Sequence, residues 1–156
     1  MKTVHRNQAQ AKRKYQADPL AMFKAFGRAA PFTPAEQAQL NLPVRVAFQA
    51  FIDRTATEGD FHTLAGAVNV AMVCAERIDP LVEQTCTAAR DALMRVHARQ
   101  MACGQWGLDG PAFAEIELAV QVYEQLTANL SGGQLKDAMS EVIRRMQAGE
   151  VLEVVQ

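Results

Sequence analysis

The sequence predicts an all-α protein: a single-domain bundle of five or six helices with a basic, partly mobile N-terminal arm and a short extended C-terminal tail. Three observations predict it. Apolar residues recur at i, i+3, i+4 and i+7 in one segment after another. Helix-start signals recur between those segments, as Thr33-Pro34, Asp79-Pro80, Asp109-Gly110-Pro111 and Ser131 with Gln134. No βαβ unit, internal repeat or low-complexity tract breaks the pattern. At 156 residues the chain is the size of one domain. The arm is expected over residues 1–30, the bundle over 31–150 and the tail over 151–156.

Each element has its own warrant. In "DPLAMFKAFG" Asp18 caps, Pro19 fits a first turn and Gly27 closes a last one, so a short helix is expected there. Thr33, Pro34 and Glu36 open the next helix as a capping box. Pro43 cannot continue a helix above it, so a turn or kink is expected at Asn41 and Leu42, with a new helix from Pro43. Val44, Ala47, Phe48 and Phe51 form its apolar face. The segment from Asp60, read as a cap, to a stop at Asp79-Pro80 is apolar on nearly every side, which predicts the buried centre of a bundle. A long helix follows through Met101, with Val82, Cys86, Ala89, Leu93 and Val96 inward and Arg90, Arg95 and Arg99 on other faces.

The stretch "CGQWGLDGPAF", residues 103–113, holds the single tryptophan and three of nine glycines. Gly104 suits a helix C′ position with positive φ, Gly107 is expected to free another turn position, and Asp109 caps the next helix. Trp106 is expected to lay its ring over the joint, with the indole N–H on a carbonyl or water at the rim. Phe113, Ile116, Val120, Tyr123 and Leu126 mark the next helix. Ser131 and Gln134 open the last, whose face carries Leu135, Ala138, Met139, Val142, Ile143 and Met146 and which ends at Gly149. "EVLEVV" is expected to lie as an extended tail.

The net charge of −1 hides an asymmetry. Residues 1–28 carry seven Lys and Arg against one Asp; the remainder carries nine against sixteen acids. Such an arm either contacts nucleic acid or stays solvated. No apolar run approaches the ~20 residues of a membrane span, and the N-terminus lacks a secretory h-region, so no membrane partner is expected and the cytoplasm is the expected compartment. Cys74, Cys86 and Cys103 form no close pair and are read as free thiols. His5, His62 and His97 do not share i, i+4 spacing, so no metal site and no cofactor is expected.

Chemistry-bearing motifs are few. A nucleophile elbow, a Walker A loop, an HExxH helix and a Rossmann fingerprint are all absent. "SGGQLKD" reads as a plain helix N-terminus rather than a phosphate cradle. Glu115, Glu117 and Glu124 fall on outward helix faces, and His62 and His97 are read as ordinary helix residues. "TLAGAVNVAMVCAER" follows a helix-turn-helix superficially, with Asn69 near the turn, but its second half offers Met72, Val73 and Cys74 where a DNA reader needs polar side chains. No catalytic residue is therefore assigned.

Residues 31–154 resemble a family of short uncharacterised helical proteins of proteobacterial genomes, prophages and plasmids, some labelled Fis-like regulators. "LPVRVAFQAF", "TLAGAVNVAMVCAE", "GQWGLDG" and "RRMQAGEVLEV", in that order, carry the resemblance. It implies a mobile-element setting and supplies no catalytic residue; a Fis-type C-terminal DNA-binding helix pair is absent from this chain.

The expected function is that of a non-enzymatic protein–protein interaction module, a regulator or inhibitor with an unidentified protein partner. The expected contacts are Leu20, Met22, Phe23 and Phe26, the Trp106 joint, and Arg144 and Arg145. The alternative is a nucleic-acid-binding accessory protein using Lys2, Arg6, Lys12, Arg13 and Lys14 through phosphate contacts. The Ala- and Met-rich bundle also invites a homodimer.

Overall fold

A computed structural model describes residues 30–149, and these form five α-helices with no β-strand. The expected helix around Leu20 to Phe26, the basic arm and the C-terminal tail lie outside the described residues.

Helix α1 (Pro34–Ile52) begins at the expected capping box: the Thr33 amide donates to Glu36 Oε2 at 2.7 Å and the Glu36 amide returns to Thr33 Oγ1 at 3.3 Å. It continues without interruption through Pro43, so the chain makes no turn at Asn41 and Leu42 and no new helix starts at the proline. Pro43 is exposed, and so is Gln39, whose carbonyl loses its helical donor to the proline ring; water can satisfy it there. Tertiary contacts anchor the helix on both sides of the proline. Thr127, fully buried on the fourth helix, donates its hydroxyl to Asn41 Oδ1 at 2.9 Å, while Val44, Ala47 and Phe51 are buried below.

Helix α2 (Glu58–Ala75) is capped three residues earlier than expected. Thr57 is the N-cap and Asp60 its capping-box partner, the Thr57 amide donating to Asp60 Oδ2 at 2.8 Å. Acidic residues serve the third helical position as readily as the cap, because both places present free backbone N–H groups. α2 ends at Ala75, and residues 76–78 turn before Asp79, ahead of the expected stop. As its composition predicts, it lies at the centre of the bundle and packs against all four other helices. Ala65, Ala71 and Ala75, with no exposed surface, let neighbouring backbones approach closely.

Helix α3 (Pro80–Cys103) starts at Asp79, whose carboxylate accepts the Leu81 amide at 2.7 Å, and ends on Gly104 in the left-handed conformation, φ 72°. Its expected inward residues Cys86, Ala89, Leu93 and Val96 are buried, with Val82 partly so. Helix α4 (Gly110–Asn129) is capped by Asp109 on the Ala112 amide at 2.8 Å. Helix α5 (Gly132–Gln147) opens with the Ser131–Gln134 capping box, buries Leu135, Ala138 and Val142, and is followed by Gly149 at φ 71°. Ile143, expected on the inward face, is half exposed, since among the described helices α5 rests chiefly on α2. No helix among the described residues is long and apolar enough to cross a membrane.

Candidate functional site at the Trp106 joint

The end of α1, the start of α2, the end of α3 and the start of α4 meet at one end of the bundle, and aromatic rings join them. Trp106 stacks on Phe61 with centroids 5.0 Å apart and meets Phe51 edge-on at 6.1 Å. His97 lies 5.4 Å from Phe61, and Phe48 lies 5.4 Å from Phe113. Phe51 and Phe61 are buried whereas Trp106 is only half-buried, so the cluster has a dry floor and an open rim. Trp106 thus lays its ring over the joint as the sequence predicts. Its indole N–H finds no acceptor among the described residues, so the expected carbonyl partner is not there.

The rim encloses an open groove of about 830 Å³, within the size range of small-molecule sites. Trp106 and Phe113 supply its aromatic wall above the buried Phe51, and Arg54, Arg99 and Asp109 its charge. Arg99 is already engaged: its guanidinium donates to Asp109 Oδ2 at 2.9 Å and reaches the Gly107 carbonyl at 3.5 Å. Asp109 is doubly held, because the Ala112 amide and Arg99 both donate to it, and these bonds keep its carboxyl below the ordinary aspartate range. Gly107 shows no positive φ among the described glycines that do, so the extra freedom expected of it is not used.

Arg54 is the residue the sequence reading missed. It follows α1 with φ 59°, the one non-glycine with positive φ among the described residues. The Thr55 amide donates to the Ala50 carbonyl at 2.9 Å and the Arg54 amide to Phe51 at 3.3 Å, the paired bonds of a Schellman motif. The signal available was faint: "FIDRT" carries no glycine or asparagine to mark a left-handed helix end. Among the described residues Arg54 and Arg77 make no ion pair, while Arg45, Arg90, Arg95, Arg99, Arg144 and Arg145 all do, and of the two only Arg54 lines the groove.

The other expected contacts fall elsewhere. Arg145 ties α5 to the end of α2, its Nη2 donating to Glu76 Oε2 at 2.7 Å and its Nε to Glu141 Oε1 at 2.8 Å. Arg144 joins the same cluster through Glu141. Glu76 stands fifteen residues after Phe61 on α2, so this cluster lies roughly 22 Å from the Trp106 joint at 1.5 Å per residue. Leu20, Met22, Phe23 and Phe26, and the basic set Lys2, Arg6, Lys12, Arg13 and Lys14, lie outside the described residues. Of the acidic residues weighed for acid–base chemistry, Glu115 pairs with Arg95 and Glu124 with Arg45. Asn69 sits mid-helix in an unbroken α2, which removes the turn that a helix-turn-helix needs. Among the described residues no group of three or more His, Cys, Asp or Glu is placed to hold a metal.

The thiols divide sharply. Cys74 and Cys86 are buried, and desolvation raises both, Cys86 to about 11, whereas Cys103 is exposed beside the groove. With Ellman's reagent at pH 8 the native protein is expected to release the equivalent of one thiol promptly, and three after denaturation in guanidinium. Prompt reaction of two or three thiols in the native protein would contradict the burial of Cys74 and Cys86.

Comparison with family models, with curated proteins and with solved structures returns no match for this chain.

Proposed function

We propose that this chain is a non-enzymatic helical interaction module, a regulator or inhibitor of mobile-element type working in the cytoplasm, and that it grips a protein partner at the Trp106 groove. The observation that carries this reading is the combination, in one open groove, of an aromatic wall with a free guanidinium. Tryptophan, tyrosine and arginine dominate the energetics of protein interfaces because they bring large contact area and directed donors at modest entropic cost. The groove's charged groups bind and orient: Arg99 and Asp109 hold each other, and Asp109 also caps α4. None is a nucleophile beside a base.

The test is affinity capture with the tagged full-length chain from its native lysate, with and without nuclease, followed by ¹⁹F NMR of 5-fluorotryptophan-labelled protein mixed with the purified partner. Trp106 is the single tryptophan, so one resonance reports the groove alone. A stoichiometric protein that survives nuclease and shifts that resonance is expected. Recovery of nucleic acid only, released by nuclease or salt, would replace this reading with binding through the basic arm.

A further inference from the structure

Three helix ends among the described residues carry a left-handed residue, and the chain uses glycine at two of them, Gly104 at φ 72° and Gly149 at φ 71°. The third is Arg54 at φ 59°, which lines the groove together with Gly104. An L-residue with a Cβ in this conformation costs about 1 kcal/mol relative to glycine, because the Cβ crowds the following carbonyl. Stability alone favours glycine there. The Schellman bonds that follow α1 are backbone bonds and need no arginine side chain. Backbone strain held at the rim of a groove, on a residue whose side chain makes no ion pair within the described fold, points to a role outside the fold.

The charge balance narrows that role. Residues 30–149 carry nine Lys and Arg against fourteen Asp and Glu, so the body as a whole repels anions and any acidic group it takes must be drawn by local charge. Within the groove Arg99 and Asp109 neutralise each other at 2.9 Å, which leaves Arg54 as its uncompensated charge. One guanidinium suits one carboxylate, through two parallel N–H···O bonds. A phosphate dianion would meet the nearby Asp109 with one free cation to balance it. The groove that Arg54 lines also has an aromatic wall, Trp106 and Phe113, backed by the buried Phe51.

We infer that the groove takes an acidic peptide segment of the partner, an Asp or Glu side chain seated on Arg54 and a neighbouring aromatic or large aliphatic side chain laid against Trp106 and Phe113. The inference rests on reading the groove as a protein-docking site. Arg54 is then the specificity determinant, and the fold carries its strain for that purpose.

A random heptapeptide phage library panned on the full-length protein tests it, with Arg54→Gly panned in parallel. Wild-type selection is expected to enrich Asp or Glu beside Phe, Trp, Leu or Met. The selected peptides, resynthesised without tryptophan, should shift Trp106 emission saturably. Arg54→Gly should weaken their binding at least about tenfold, the size of a lost charge-assisted bond, while its thermal midpoint stays equal or rises. Arg54→Lys should retain part of the affinity through its charge. Peptides that move Trp106 yet show no acidic preference, or bind Arg54→Gly equally well, overturn this inference and leave the groove reading standing. Enrichment of no peptide that moves Trp106 overturns both. A lowered midpoint in Arg54→Gly would make Arg54 a structural residue and also overturn it.

Discussion

Replacing Phe51 by alanine is expected to lower the unfolding free energy by about 3–5 kcal/mol, the range for removing a large aromatic side chain from a closed core. Phe51 is 1 % exposed and meets the Trp106 ring edge-on, so its loss opens a void under the groove and removes an aromatic contact as well. A domain of this size holds about 5–15 kcal/mol in all, so a single residue at the end of α1 carries a large share of the margin. Guanidinium unfolding followed by far-ultraviolet circular dichroism measures the loss, and Trp106 emission should shift to the red in the folded variant as the ring gains water. Val46→Ala, six-tenths exposed on the outer side of the same helix, should change stability by no more than about 0.5 kcal/mol. A Phe51→Ala cost below about 1.5 kcal/mol would mean that Trp106 collapses into the space, and that the groove is softer than its stacked rings imply.

Acid is expected to free α5 before the rest of the bundle. Hydrogen bonds from Arg144 and Arg145 hold the Glu141 carboxyl at about 2, and the bonds from Arg145 hold Glu76 below its ordinary 4.5. Both folded-state values lie below the unfolded ones, so the stability they contribute is fully present above about pH 4.5. It is lost as pH falls from there toward 2, when protonation neutralises the carboxylates and leaves the arginines only weaker, uncharged acceptors. This cluster joins α5 to the end of α2, and α5 rests chiefly on that helix, so its release leaves the α2–α3–α4 core packed. The Thr33, Thr57 and Asp109 caps depend on carboxylates held low in the same way, so helix starts should fray in the same pH window. Amide exchange compared at pH 5 and pH 2.5, corrected for intrinsic rates, reads the order of loss. Protection should fall first at residues 135–147 and persist around Leu93 and Ile116. Glu76→Gln at neutral pH should reproduce part of the effect. Simultaneous loss across all helices would show that the cluster is no separate clamp.

Much of this fold was legible because helix ends are local chemistry. A side-chain oxygen at the cap, a proline in the first turn and a glycine beyond the last satisfy or omit the same free backbone groups wherever they occur, so Thr33, Asp79, Asp109, Ser131, Gly104 and Gly149 could be read in place. The central position of α2 was legible for a similar reason: a helix apolar on nearly every side has no face to give to water.

Local rules misplaced Pro43 and the start of α2, and passed over Arg54. The proline costs one hydrogen bond, and packing of both flanking turns, with the Thr127 bond to Asn41, outweighs that cost in a way no window of sequence displays. Asp60 and Thr57 are both capping residues, and the role each takes depends on where α1 delivers the chain. The candidate site was half legible. Trp106 announced the joint, but its groove also needs Phe51 and Arg54 from some fifty residues earlier, and their approach is set by how α1 crosses the α3–α4 hairpin. The sequence by itself determined the helices, most of their ends and which one is buried, because backbone bonding and side-chain hydration act residue by residue. The tertiary structure alone decided that an arginine in the left-handed conformation, with no ion pair among the described residues, lines the same groove as the tryptophan, because proximity across the chain is a property of packing.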